Sequence, residues 1–336
     1  MIPVVSDLTS GRKPFFLAPL AELTHLPLRL LIEDFGGCDY YFTEMISAGA
    51  LTAHTPYEVF YAEAGPLAER TVFQLAGNDT DTLCAAAEHL MTLPGAGIDI
   101  NMGCSAYTII QKGWGICWMR DPRRAGDLIA ALRPIVKGRS LSVKMRIGWT
   151  DDEGSFREFA AALEEGGVDF ITLNPQTKKD NRNRTGDWRW ITRLKETVSV
   201  PVVGNGNITD AESFFFRAGE GGRGGFGADG YMIGRGAVAR PWLFKQLSGT
   251  GVLPSLPETV DLYAVLLRFR ELFCLYQPPE FLSSRLSRFL FYFCRNFRFG
   301  NRLFSETRNC GRDADAMVKI IFDYLERHPE ERFLRI

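Results

Sequence analysis

The sequence predicts a (β/α)8 TIM barrel of the α/β class followed by a C-terminal all-helical domain, and three observations carry that prediction. Short apolar runs near 15–19, 39–43, 71–75, 97–101, 141–145, 169–173, 201–204 and 229–233 alternate with longer stretches of helical period. The last five runs are mostly rich in Val, Ile or Leu, as strands covered on both faces should be. After a Gly/Pro-rich stretch at 249–257 the pattern is helical to the end. Eight strand-then-helix units in series are more than a doubly wound sheet usually holds. The expected division is a barrel over 1–248, a linker over 249–257 and a helical domain over 258–336.

Between the strands, 81–93, 122–136, 156–165 and 188–198 carry the helical period, while the segment between strands two and three is longer than one helix requires. In the C-terminal domain helices are expected over 258–276, 283–299 and 313–327, with Thr259, Ser283 and Asp313 placed as caps. Hydrophobic residues make up 46% of 336 residues, enough to bury a core without covalent staples. A formal net charge of −1 excludes a global pull toward polyanions, so any nucleic-acid surface must be a local patch. Seven cysteines without CxxC spacing point to a reducing cytoplasm rather than a disulfide framework or a metal site. Neither a signal peptide nor an apolar run of membrane-spanning length is evident, so a cytoplasmic location away from membranes is expected.

Catalytic groups of such a barrel come from the C-terminal ends of its strands. Read in order, those ends supply Pro19, Glu44, Gln74, Asn101, Lys144 with Arg146, Asn174, Asn205, and Gly234 with Arg235. Polar residues closing apolar runs around the barrel are hard to explain by packing alone. Glycine turns follow the last two strands, at Gly204-Asn-Gly-Asn207 and Gly234-Arg-Gly-Ala237, where this fold commonly binds phosphate through backbone N–H groups. Lys144 and Arg146 alternate on one strand and face the same way, which calls for an anionic or carbonyl partner or for barrel carboxylates. Cys104, three residues after Asn101, is either a general acid carrying its proton at neutral pH or a small buried hydrophobe.

Several segments resemble the tRNA-dihydrouridine synthases, in family order: LAPLAELTHLPLR (17–29), FTEMISAGAL (42–51), FQLAGND (73–79), GIDINMGC (97–104), KGWGICWMRDP (112–122), VKMRIGW (143–149), GNGNI (204–208) and MIGRGAVARPWLF (232–244). The resemblance implies FMN, reduced by NADPH, passing a hydride to C6 of a uracil while a cysteine protonates C5. It implies Cys104 as proton donor and Asn101, Lys144 and Arg146 as the groups that hold the base. Gln74 and Lys144 would contact the isoalloxazine, with Pro19, Leu20 and Ala21 along its face. Gly206, Gly234 and Arg235 would take the FMN phosphate, and Asn174 and Asn205 complete the implied cofactor set. The chain departs from the family pattern at Glu22 for glycine, Ser105 for proline, Asn174 for histidine and Gln176 for arginine. Asn174 can still hydrogen-bond, but it cannot carry charge or shuttle a proton.

The strongest nucleic-acid signal lies outside the barrel. Between Arg285 and Arg312 there are seven arginines and one acid, Glu306. At about 100° per residue Arg285, Arg288, Arg295, Arg298 and Arg302 share one face, and Leu286, Phe289, Leu290, Phe293 and Phe297 fall opposite. Phe291 and Tyr292 land among the arginines, a combination suited to RNA phosphates and unpaired bases; Arg285, Arg288, Tyr292, Arg295 and Arg298 are the expected contacts. A second basic stretch supplies Lys178, Lys179, Arg182 and Arg184. The expected activity is reduction of the C5=C6 bond of uridine in RNA, most simply tRNA. The alternatives are a barrel reductase of a small enone or pyrimidine, or an RNA-binding homologue with a degenerate flavin site.

Overall fold

The computed structural model describes residues 2–180, 185–219, 225–248 and 259–336. The expected linker at 249–257, together with Arg182 and Arg184, lies outside the described residues. By packing, the chain forms two compact units, Met1–Pro19 with Asp39–Ile233 and Leu20–Cys38 with Gly234–Ile336. Residues 20–38 and 234–248 thus group with the C-terminal helices, on the far side of the expected boundary at 248.

The first unit is a closed, all-parallel barrel. Its strands are β1 (Phe15–Leu17), β2 (Tyr40–Ser47), β3 (Thr71–Ala76), β4 (Gly97–Met102), β5 (Ser140–Gly148), β6 (Phe170–Thr177), β7 (Val202–Asn205) and β8 (Gly230–Ile233), each beside the next in sequence, with β8 closing on β1. All eight expected strands are present. The long segment between β2 and β3 holds two short helices, Ala48–Thr52 and Glu58–Ala62, and a 3-10 turn, Gly65–Arg70. Aspartates start the surrounding helices: Asp79, Asp121, Asp152 and Asp210 each accept a backbone N–H from the first turn that follows. The barrel interior is filled from below by Phe16, Tyr40, Phe42, Phe170, Val203 and Met232.

Strand alignment is set at the N-terminal end by a repeated device. Asp39, Asp169 and Asp229 stand just before β2, β6 and β8. The N–H of each donates to a carbonyl of the preceding strand, at Phe15 (3.1 Å), Leu141 (2.8 Å) and Val202 (2.8 Å). The carboxylate of each accepts the N–H of that same partner at 2.7 Å. Arg12, Arg133 and Lys195 pair with the three carboxylates.

The second unit is helical, with corrections to its element boundaries. The stretch expected to begin a helix at 258 instead contains a short strand, Thr259–Asp261, paired antiparallel with Phe333–Arg335. Asp261, not Thr259, caps the helix Leu262–Tyr276. The next helix runs Pro279–Phe293, beginning earlier than Ser283 because Pro279 is preorganised for a first turn. It ends before 299: a 3-10 turn, Cys294–Asn296, follows, and a new helix starts at Gly300. A Cβ at Gly300 would lie 1.8 Å from the Cys294 carbonyl oxygen, so only glycine lets the chain double back there. Asp313 caps Ala314–Arg327 as expected. No helix among the described residues is long and apolar enough to cross a membrane.

Candidate active site

Side chains at the C-terminal end of the barrel are brought together by strand register. Gln74 on β3 stands beside Asp99 on β4, Asn101 beside Lys144 on β5, and Arg146 beside Asn174 on β6. Gln74, Asp99 and Asn101 are buried polar residues on otherwise apolar strands, so each needs a partner. They find one another. Ser142 Oγ donates to Asp99 Oδ1 at 2.6 Å, and Gln74 Nε2 donates to Asp99 Oδ2 at 2.7 Å. Asn101 Nδ2 donates to Gln74 Oε1 at 2.9 Å. Asn101 Oδ1 then accepts the backbone N–H groups of Gly103 (3.3 Å) and Cys104 (3.0 Å).

Cys104 is half-buried, and its loop is pinned at its backbone. The Cys104 carbonyl accepts the N–H of Ile116 at 3.0 Å. Gly115, at φ +61°, permits that approach, since a Cβ there would come 2.4 Å from the same oxygen. Arg146 supports the other flank, its Nε donating to the Gly103 carbonyl at 2.9 Å and its Nη1 to the Thr177 carbonyl at 3.1 Å. Arg146 is therefore committed in part to shaping the loop.

Electrostatics follow from burial. The Asp99 carboxyl is pushed up to about 7 by burial, against the opposing hydrogen bonds from Ser142 and Gln74 and the charge of Lys144. Lys144 is brought down to about 8, first by desolvation and then by the like charge of Arg146, while Asp99 and Cys104 pull it back up. A lysine tuned this close to neutrality beside a thiol is a candidate catalytic environment.

The remaining expected cofactor residues fall as follows. Asn174 Oδ1 is buried without a hydrogen-bond partner. Facing it is Gly206, at φ +127°, where a Cβ would come 3.2 Å from that oxygen. Asn205 turns its amide into the barrel, donating to the Met232 carbonyl at 2.8 Å. Pro19 follows β1 in the first unit, whereas Leu20 and Ala21 open the second unit in a turn closed by N–H groups of Leu23 and Thr24 on the Leu20 carbonyl. Gly234 and Arg235, also in the second unit, begin a five-residue helix, Arg235–Ala239.

Known proteins share this sequence pattern. The dihydrouridine synthase (Dus) model matches residues 16–267. The chain belongs to the dihydrouridine synthase family. A probable tRNA-dihydrouridine synthase of Rhodobacter capsulatus is 36% identical over 236 residues, covering 70% of this chain and 71% of that protein. A probable tRNA-dihydrouridine synthase of Rickettsia conorii is 32% identical over 253 residues, covering 73% and 74%. A tRNA-dihydrouridine(16) synthase of Aquipseudomonas alcaligenes is 30% identical over 301 residues, covering 87% and 94%. Dihydrouridine synthases are FMN-dependent oxidoreductases, and the residues present here suit that cofactor. The unpartnered Asn174 Oδ1 offers an acceptor for a ribityl hydroxyl, Gly206 keeps the space before it open, and Lys144 supplies positive charge.

The expected RNA contacts lie in the second unit, and the helix break redistributes them. The apolar stripe Leu286, Phe289, Leu290, Phe293 and Phe297 is buried as expected. Arg285 does not join an exposed face: it is only 2% exposed, with its guanidinium over the Phe281 ring. Its place four residues before Phe289 explains this, since i and i+4 share a side of a helix. Arg288 is exposed and ion-paired to Glu22 at 2.5 Å. Arg295, in the 3-10 turn, stacks over Phe291 and Tyr292, and Phe291 is 45% exposed. Arg298 is exposed beside Phe299. Asp99 was missed by sequence reasoning as a site residue, although an acid two positions before Asn101 on an apolar strand was the available signal.

Proposed function

We propose that this chain reduces the C5=C6 bond of a uridine in tRNA with Cys104 as the proton donor and NADPH as the source of electrons. The observation that carries the reading is the Cys104 loop, seated on Asn101 and flanked by the cations Lys144 and Arg146. FMN, when bound, supplies the reducing equivalents. The chain's own residues supply the rest. Negative charge develops on the uracil toward O4 and C5 during reduction, and Lys144 and Arg146 provide the compensating charge. Cys104 gives its proton to C5, and Asn101 keeps the Cys104 backbone in place as it does so. Gln74, Lys144, Asn174 and Gly206 are assigned to FMN; the assignments of Asn205, Pro19, Leu20, Ala21, Gly234 and Arg235 to the cofactor rest on the resemblance.

The target uridine must leave its stack to reach a barrel end. Arg288, Tyr292, Arg295 and Arg298 are assigned to the RNA, with Arg285 acting inside the unit instead. The protein then acts in the cytoplasm, on tRNA and with NADPH. The test is anaerobic addition of NADPH to FMN-loaded protein, followed by tRNA lacking dihydrouridine. Bleaching of the flavin, with a gain of about two daltons in one tRNA uridine, is the expected result. In Cys104→Ala the flavin should still bleach while product falls by about a hundredfold or more. Full product from that variant would remove Cys104 from the mechanism.

A further inference from the structure

Asp99 has no role in the assignments above, yet it begins an unbroken chain of hydrogen bonds that ends on the Cys104 backbone. The chain runs from the Asp99 carboxylate to the Gln74 amide, from Gln74 to the Asn101 amide, and from Asn101 to the N–H groups of Gly103 and Cys104. Asp99 itself is fully buried and held from its other side by Ser142.

The direction of each link is dictated from the far end. Backbone N–H groups can only donate, so Asn101 must present Oδ1 to them and turn Nδ2 toward Gln74. Gln74 must then meet that donor with Oε1, which leaves Nε2 pointing the other way. Only an acceptor can receive Nε2, and Asp99 Oδ2 is that acceptor. A donor at this position would turn Gln74 over and set its NH2 against the NH2 of Asn101. The conflict would then pass to the Cys104 loop. Buried amides gain their orientation from such partners, and a reversed link costs the full desolvation of the groups left unpaired.

We propose that Asp99 is a positioning residue that fixes the donor–acceptor direction of the Gln74–Asn101 pair and so holds Cys104 where it can give its proton to the substrate. The proposal rests on the reading of Cys104 as proton donor, and the experiment separates the two. Four proteins are compared: the parent, Asp99→Asn, Gln74→Glu, and the double variant. The four proteins are compared above pH 8, where the Asp99 carboxyl, raised to about 7, is ionised and Gln74→Glu sets an acceptor against an acceptor. Adding Asp99→Asn supplies a donor to the carboxylate introduced at position 74, which also accepts from Asn101, so the whole chain is satisfied again. The substitutions barely change shape, so a role in packing alone predicts no such reversal.

The readouts are the rate of iodoacetamide alkylation at Cys104, followed by peptide mass spectrometry without flavin or RNA, and dihydrouridine formation by the loaded enzyme. Gln74→Glu should change the alkylation rate by about tenfold and the double variant should return it to within about threefold of the parent, the size of effect one buried hydrogen bond carries. Turnover should follow the same order, with the double variant faster than Gln74→Glu. If Gln74→Glu does not fold, recovery of a cooperative thermal transition in the double variant reads the same direction. Alkylation rates that are equal in all four proteins, or a double variant no better than Gln74→Glu, overturn the proposal. Alkylation that follows the predicted order while Cys104→Ala still makes product supports the positioning chain and removes only the proton-donor reading.

Discussion

Glu22 holds Arg288 by an ion pair of 2.5 Å, and does so from a backbone at φ +63°. A left-handed backbone favours glycine, and a side chain there costs about 1–2 kcal/mol. The exposed ion pair returns at most about 1 kcal/mol. Replacing Glu22 with glycine relieves the strain but loses the pair and adds about 0.5–1 kcal/mol of chain entropy to the unfolded state. These nearly cancel, so the thermal midpoint of Glu22→Gly should stay within a few degrees of the parent. Affinity for tRNA should rise a few-fold as Arg288 is released, with the salt slope steeper by about 0.7–0.9 for one added phosphate contact. Unchanged affinity and salt slope would show that Arg288 does not meet the RNA.

The arginines of this region should separate by burial. Arg295→Ala is expected to weaken tRNA binding by about tenfold and leave the melting temperature unchanged, since its guanidinium lies over the exposed Phe291 and the half-buried Tyr292. Arg285→Ala should do the opposite, lowering the melting temperature while affinity holds, because that side chain is buried against Phe281. Filter binding at two salt concentrations and a thermal melt decide both.

Lys144 should give turnover an alkaline limb. Its folded-state value of about 8 lies below the ordinary 10.5, so the charge is present below pH 8 and is lost as pH rises through it. Dihydrouridine formation at saturating tRNA should therefore fall above about pH 8, approaching tenfold per unit. Lys144→Arg, which keeps its charge throughout, should make this limb shallower even if its maximum rate is lower.

Glu58 should be a source of instability at neutral pH. Burial raises its carboxyl to about 7, with Glu44 adding to the rise and the Ser47 backbone opposing it, and Oε2 has no hydrogen-bond partner. The folded-state value lies above the unfolded one of 4.5, so the penalty is absent below pH 4.5, grows between 4.5 and 7, and is complete above 7. Glu58→Gln should raise the melting temperature at pH 8 and lose most of that gain at pH 4.5. An equal gain at both values would assign the effect to packing.

The barrel was legible in the sequence because each strand is a short apolar run ended by polar residues, and because the alternation of Lys144 with Arg146 shows which residues face inward. The aspartate caps were equally local. What could not be read depends on how the chain meets itself beyond the helical repeat. The end of the helix at Phe293 is enforced by the approach of Gly300 to the Cys294 carbonyl, and the strand at Thr259–Asp261 exists only through its pairing with Phe333–Arg335. Arg285 was assigned to the wrong side because a wheel of ideal rotation treats neighbours of a buried stripe as exposed until the packing is known.

The aspartate at the start of β6 has a reach greater than its position suggests. Asp169 and Leu141 are joined through two backbone and carboxylate bonds, and five residues further along each strand stand Asn174 and Arg146. Side chains alternate with a period of two, so a slip of one residue between these strands would turn Arg146 outward relative to Asn174. A slipped pairing also forfeits the Asp169 bonds and the ion pair to Arg133. The native alignment is the one that keeps all of these bonds. The facing of Arg146 and Asn174 is thus set in part by bonds at the opposite end of the barrel.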